Sequence, residues 1–115
     1  MSGSQKVLRV FGVFEVLIAI YYAYLGIMGD NVSAFVSVAL YLLTAILMFV
    51  AAKDATKAGG AFLITLVSLV LSIIELLFAL SGGGDTNTFI AGVVAIILNL
   101  IAFIAAGNVR RQGRR

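Results

Sequence analysis

Apolar residues run almost unbroken through four stretches of the chain, at about 7–28, 33–52, 59–80 and 88–107, with polar and charged residues gathered between them. Each stretch is close to the roughly 20 residues that a helix needs to cross bilayer hydrocarbon. Inside that layer every backbone N–H and C=O must be paired, which an α-helix does within itself. The pattern therefore predicts four spanning helices. Their short connections make successive helices antiparallel neighbours, so the expected fold is an all-α, up-down-up-down integral membrane four-helix bundle forming one transmembrane domain over 1–115. No proline interrupts any span, so none reads as a broken transporter helix.

The non-Leu, non-Ile positions assign faces to these helices. Gly12, Ala19 and Gly26 recur at heptad spacing in the first span, a small-residue stripe that lets another backbone come close. Thr65, Ser68, Ser72 and Glu75 fall on one face of the third span, opposite a lipid-suited face of Leu, Ile and Val. Gly92, Ala95, Asn99, Ala102 and Ala106 make a small or polar stripe in the fourth. Between spans, Gly29–Val32 forms a tight connection in which Asn31 or Ser33 caps the second helix. The glycine run at 82–84 supplies a flexible reversal, and Asn87 or Thr88 caps the fourth helix.

Composition narrows the class further. With 63% hydrophobic and 11% charged residues, a chain of 115 residues lacks the polar surface that a small soluble domain must expose. The first apolar stretch is long for a signal peptide and leads into GIMGDNVSAF without a small-residue cleavage site, so it reads as a retained span. A net charge of +3 raises nucleic acid as a partner, but the basic residues sit in three short segments without interleaved aromatics, and no nucleic-acid surface is expected. Those segments are topological. Lys6 and Arg9, then Lys53 and Lys57, then Arg110, Arg111, Arg114 and Arg115 all fall on one side of the alternating spans, while the other two connections hold only Asp30 and Asp85. The positive-inside rule then predicts both termini in the cytoplasm of an inner or plasma membrane. The terminal arginines are also placed to meet anionic headgroups of membrane lipids.

The absence of Cys and His removes thiolate chemistry and the usual metal ligand and neutral-pH base. No metal site, cofactor or enzymatic constellation is expected. What remains is a pair of carboxylic acids within the spans. On a helical rise of about 1.5 Å per residue, Glu15 falls roughly 4 Å inward of the bilayer centre and Glu75 roughly 8 Å outward. Thr44 and Asn99 share the level of Glu15, and Tyr22, Ser37 and Ser72 that of Glu75, which predicts two stacked polar layers. A carboxylic acid in hydrocarbon needs a proton, water or a cation, so ionisable groups there are candidates for function.

A four-span chain with a glutamate early in its first helix, Glu15 here, resembles the small multidrug-resistance transporters. That resemblance, which covers the helix count and one residue, implies exchange of protons for hydrophobic cations at Glu15 by antiparallel dimers. The chain departs from the family in lacking tryptophan and proline and in carrying a pronounced charge bias. Two functional expectations follow from the whole sequence. The first is a small oligomeric carrier or conduction protein for protons, cations or lipophilic cations, using Glu15, Glu75, Asn99, Tyr22, Ser72, Thr44 and Ser37. The second is a non-enzymatic accessory or assembly protein that binds another membrane protein or lipid.

Overall fold

In a computed structural model the chain forms four long helices: α1 (Gly3–Gly29), α2 (Val32–Lys53), α3 (Gly59–Ser81) and α4 (Thr86–Gly113), with a 3-10 turn at Ala55–Lys57 between α2 and α3. The structure describes residues 2–29, 32–83 and 86–114, with the backbone alone at Asn87 and Thr88. Asp30, Asp85 and Arg115, and the side-chain caps expected at Asn31, Asn87 or Thr88, lie outside the described residues. All four helices are long and apolar enough to cross a membrane. The expected all-α membrane bundle is the observed fold.

Helices α1 and α2 make one close hairpin and α3 and α4 a second, with α1 also beside α4 and α2 beside α3. Small residues set the closeness of each hairpin. Gly12, Ala19 and Gly26 are all buried, and the Phe49 and Phe35 rings of α2 lie where side chains on Gly12 and Gly26 would stand. In the second hairpin Leu76 of α3 occupies the equivalent space over Gly92. The turn joining α3 to α4 uses Gly83 at φ 74°, a left-handed conformation that an L side chain seldom adopts.

The two hairpins are joined at one end. Leu8 of α1, Met48, Ala51 and Ala52 of α2, Ala58, Ala61 of α3, and Ala102, Ala105, Ala106 and Val109 of α4 form the buried core. These residues all come from the end of the bundle that carries the basic segments. Alanine permits close backbone approach here, and in lipid it is such packing, rather than expulsion of water, that holds helices together. Polar contacts reinforce the same end. The Gln5 side chain donates to the carbonyls of Ala51 at 3.5 Å and Ala52 at 3.2 Å, satisfying acceptors that the end of α2 leaves open. Asn108 of α4 donates to Ser4 of α1.

The basic stretch at the end of the chain continues α4 as helix through Gly113. Val109 is fully buried and Arg110 lies 4.7 Å from the centre of the Phe62 ring, so this turn is amphipathic and docks on α3 through a cation–π contact. Gly113 passes so close to the backbone of Ala55 that no side chain fits between them. At Asp54, hydrogen bonds from the hydroxyl and amide of Thr56 hold the carboxyl below its usual range. That depressed value helps the turn above the ordinary carboxylate range, and the help is lost as pH falls through the folded value.

The far end is different. Among the described residues between 66 and 101, none is buried. Packing between the two hairpins is thus concentrated at the basic end, whereas α1 and α2 stay closely packed as far as Gly26 and Ala34, and this is testable. Overpacking that seam with Ala106→Leu should cost about 1–3 kcal/mol. Ile104→Leu, on a residue 54% exposed to the surroundings, should stay within about 0.5 kcal/mol. Unfolding of the micelle-bound protein by sodium dodecyl sulfate, followed by circular dichroism, reads both; equal losses would contradict a localised seam.

Candidate functional site

Beyond the alanine seam the hairpins enclose a cavity of about 160 Å³ to which all four helices contribute. Helix α1 supplies Glu15, α4 supplies Asn99, α2 supplies Ser37, Leu40, Tyr41 and Thr44, and α3 supplies Ser68, Leu71, Ser72 and Glu75. The local periodicity explains the convergence. Ser37, Tyr41 and Thr44 lie at steps of four and three, as do Ser68, Ser72 and Glu75, so each set forms one helical stripe. Six of the seven residues expected to act together line this one space; the seventh, Tyr22, is in contact with its lining through Tyr41. Its ring stacks on that of Tyr41 with centroids 5.4 Å apart and planes 12° from parallel.

The two levels expected from the helical ruler are connected. Asn99, assigned to the inner level, donates a hydrogen bond to the Ser72 hydroxyl of the outer level, linking α4 to α3. Thr65, at the start of the α3 stripe, is only 1% exposed and does not line the cavity; its hydroxyl donates to the Ala61 carbonyl at 2.8 Å within the seam. Sequence reasoning placed Ser68 in the α3 stripe without assigning it to a site, and did not count Tyr41 among the site residues. The three-and-four spacing of both was the available signal.

Hydrogen-bond direction gives the cavity its chemical character. Thr44 donates to the Leu40 carbonyl at 2.8 Å, Ser72 to the Ser68 carbonyl at 2.8 Å and Ser37 to the Ser33 carbonyl at 3.4 Å. A hydroxyl has one hydrogen to give, so these three turn their hydrogens into their own helices and keep oxygen lone pairs for other partners. No lysine or arginine lines the space. The Glu15 Oε2 atom is buried and has no hydrogen-bond partner, whereas Glu75 is exposed at the surface of the chain. The result is an oxygen-lined cavity with two carboxylic acids and no built-in counter-charge. It suits a proton, a cation or ordered water. Among the described residues no group of three or more His, Cys, Asp or Glu is arranged to hold a metal ion.

No family model, curated protein or solved structure matches the chain. The site's meaning therefore rests on its own geometry.

Glu15 and Asn99 should behave oppositely when made apolar. The Asn99–Ser72 bond joins two helices, so a double-mutant cycle with Asn99→Leu and Ser72→Ala should return a coupling of about 0.6 kcal/mol, and no more than about 1.7. Glu15 makes no such bond, and Glu15→Leu should leave stability unchanged or raise it. A large loss of stability in Glu15→Leu would show that this glutamate holds the bundle together.

Proposed function

We propose that this protein is a small membrane carrier or conduction protein for protons or small cations, working through the cavity between its two hairpins. One observation carries the reading: Glu15 and Glu75 share an oxygen-lined space that contains no basic residue. A carboxylate in such a place gains from taking up a proton or cation and is costly when left without a counter-charge. Binding and release at such a group are the elementary steps of coupled transport.

The size of the cavity bears on the substrate class. Its 160 Å³ falls below the roughly 300 Å³ at which pockets for drug-sized ligands begin. Protons, or a small cation with part of its hydration shell, fit this space as it stands. A lipophilic cation requires the hairpins to part further, or a second copy of the chain to complete the site. The exposed carboxyl of Glu75 is the natural point for such an oligomer to close over. In this reading the protein lies in an inner or plasma membrane with its basic end and both termini in the cytoplasm, as the distribution of lysine and arginine supports.

A second reading is supported by α3, where only Ala61 and Thr65 are buried. In an accessory or assembly protein, the uncovered apolar length of this helix would be the surface that another membrane protein covers. The Asn99–Ser72 bond then serves to hold the α3–α4 hairpin in shape for that contact.

Flux separates the two. The protein is reconstituted in liposomes holding a pH-sensitive dye, and proton movement is followed under pH, Na⁺ and K⁺ gradients and with added lipophilic cations. Accessibility of a single Thr56→Cys to an impermeant maleimide reports insertion direction in cells and in the liposomes, since the native chain has no cysteine. In cells that cysteine should be shielded from outside reagent. The transport reading predicts flux above empty liposomes, reduced at least about tenfold in Glu15→Gln, a loss equivalent to about 1.4 kcal/mol in the barrier. Glu75→Gln, which removes the second carboxyl of the cavity, should also reduce the flux. Folded protein without flux under every gradient would sink the transport reading and favour the accessory one.

A further inference from the structure

A second cavity, of about 280 Å³, lies at the basic end of the first hairpin and is lined by Arg9 of α1 and Phe49, Ala52 and Lys53 of α2. Its construction follows from the packing of the first hairpin. The Phe49 ring rests on Gly12; Arg9 stands one turn before Gly12 on α1, and Lys53 one turn after Phe49 on the antiparallel α2. The ring-on-glycine contact therefore sets the register that brings two cations to the same depth on either side of an apolar floor. That depth is the margin of the spanning segments, where phospholipid phosphates lie.

Both cations are available. The one ion pair among the described residues is Lys57 with Asp54, and Asp54 is further occupied by Thr56. Lys53 sits in the last turn of α2, a position from which lysine commonly caps the final carbonyls. Here Gln5 already holds two of those carbonyls. Arg9 and Lys53 are thus exposed, unpaired among the described residues and convergent. An apolar floor of Phe49 and Ala52 distinguishes the notch from a simple patch of surface charge.

We infer that this notch binds the phosphate of an acidic phospholipid, with Arg9 and Lys53 on the phosphate oxygens and the lipid's first carbons against Phe49. Arginine offers paired donors to such an oxygen pair and lysine a point charge. The occupant is a lipid rather than a soluble anion because the floor is apolar and Val13 and Val50, one turn from Arg9 and Lys53 toward the middle of their helices, are themselves exposed apolar side chains. The site is separate from the carboxylate cavity, with which it shares no lining residue. It gives the first hairpin a fixed attachment to one leaflet.

The test is retention of lipid by the full chain, released from mixed phosphatidylglycerol and phosphatidylcholine vesicles into mild detergent and weighed by native mass spectrometry. The wild-type protein should keep phosphatidylglycerol in preference to phosphatidylcholine. A cation held directly against the lipid phosphate contributes an attraction that corresponds to about fivefold in binding, so Arg9→Gln with Lys53→Gln should weaken the preference by about 25-fold. Arg111→Gln with Arg114→Gln, which removes the same charge elsewhere at the basic end, should change it little, and circular dichroism checks that all variants remain helical. Arg9→Lys with Lys53→Arg keeps the charges and should retain the preference. Equal retention of the two lipids by wild type, or loss on substituting Arg111 and Arg114 but not Arg9 and Lys53, would overturn the site. Displacement of the lipid by millimolar inorganic phosphate would assign the notch to a soluble anion instead and equally defeat the proposal.

Discussion

Close backbone approach at alanine and glycine is the interaction on which the rest of this structure depends. Lipid chains are as apolar as leucine, so burying leucine between helices gains little from the hydrophobic effect. Contact between helices has to come from dense packing, and that requires small residues. The chain concentrates them at the basic end, where Ala51, Ala52, Ala58, Ala61, Ala102, Ala105 and Ala106 form the core with Leu8, Met48 and Val109. Gln5 and Asn108 add hydrogen bonds at the same end. The large side chains, including most of the leucines and isoleucines of α3, face outward.

This uneven packing creates the candidate site. Two hairpins held together at one end leave space between them farther along, and the polar stripes of α2 and α3 line that space with Glu15 and Asn99. The serine and threonine hydroxyls give their hydrogens to their own helices, leaving the cavity rich in acceptors. Two acids in such surroundings, with no basic neighbour, make uptake of positive charge the chemistry the geometry supports best. The same hairpin packing, through Phe49 on Gly12, places Arg9 and Lys53 beside each other at the basic end. One set of close contacts thus organises both an anionic space within the bundle and a cationic notch at its edge.

Much of this was legible in the sequence because hydrocarbon imposes simple rules. Span number follows from length and apolarity, and the heptad of Gly12, Ala19 and Gly26 marked a face that is indeed buried. The α3 stripe likewise pointed to a common space for Ser72 and Glu75. What the sequence left open depends on tertiary register. A ruler along single helices separated Asn99 from Ser72 by level, but neighbouring helices need not share a midpoint, and these two side chains meet. Tyr22 was expected in the polar layer, and its ring stacks on that of Tyr41, a residue of the cavity lining that the sequence did not single out. The arginine-rich end fell outside the apolar stretch at 88–107 because charge hides a helical pattern, although α4 runs on to Gly113 and Val109 and Arg110 both turn toward α3 and the core.

The central claim is that the hairpins part around a hydrated, carboxylate-lined space while α3 keeps its other face in lipid. Reactivity along α3 tests it most directly. Ser68 lines the cavity, whereas Val70, two residues on, is exposed on the apolar surface. In the cysteine-free chain, Ser68→Cys and Val70→Cys differ in surroundings but hardly in depth. With reconstituted protein and a small, water-soluble methanethiosulfonate reagent, the account predicts rapid modification at position 68 and very slow modification at position 70. Equal, negligible rates at both positions would contradict it, because the space between the hairpins would then be closed to water.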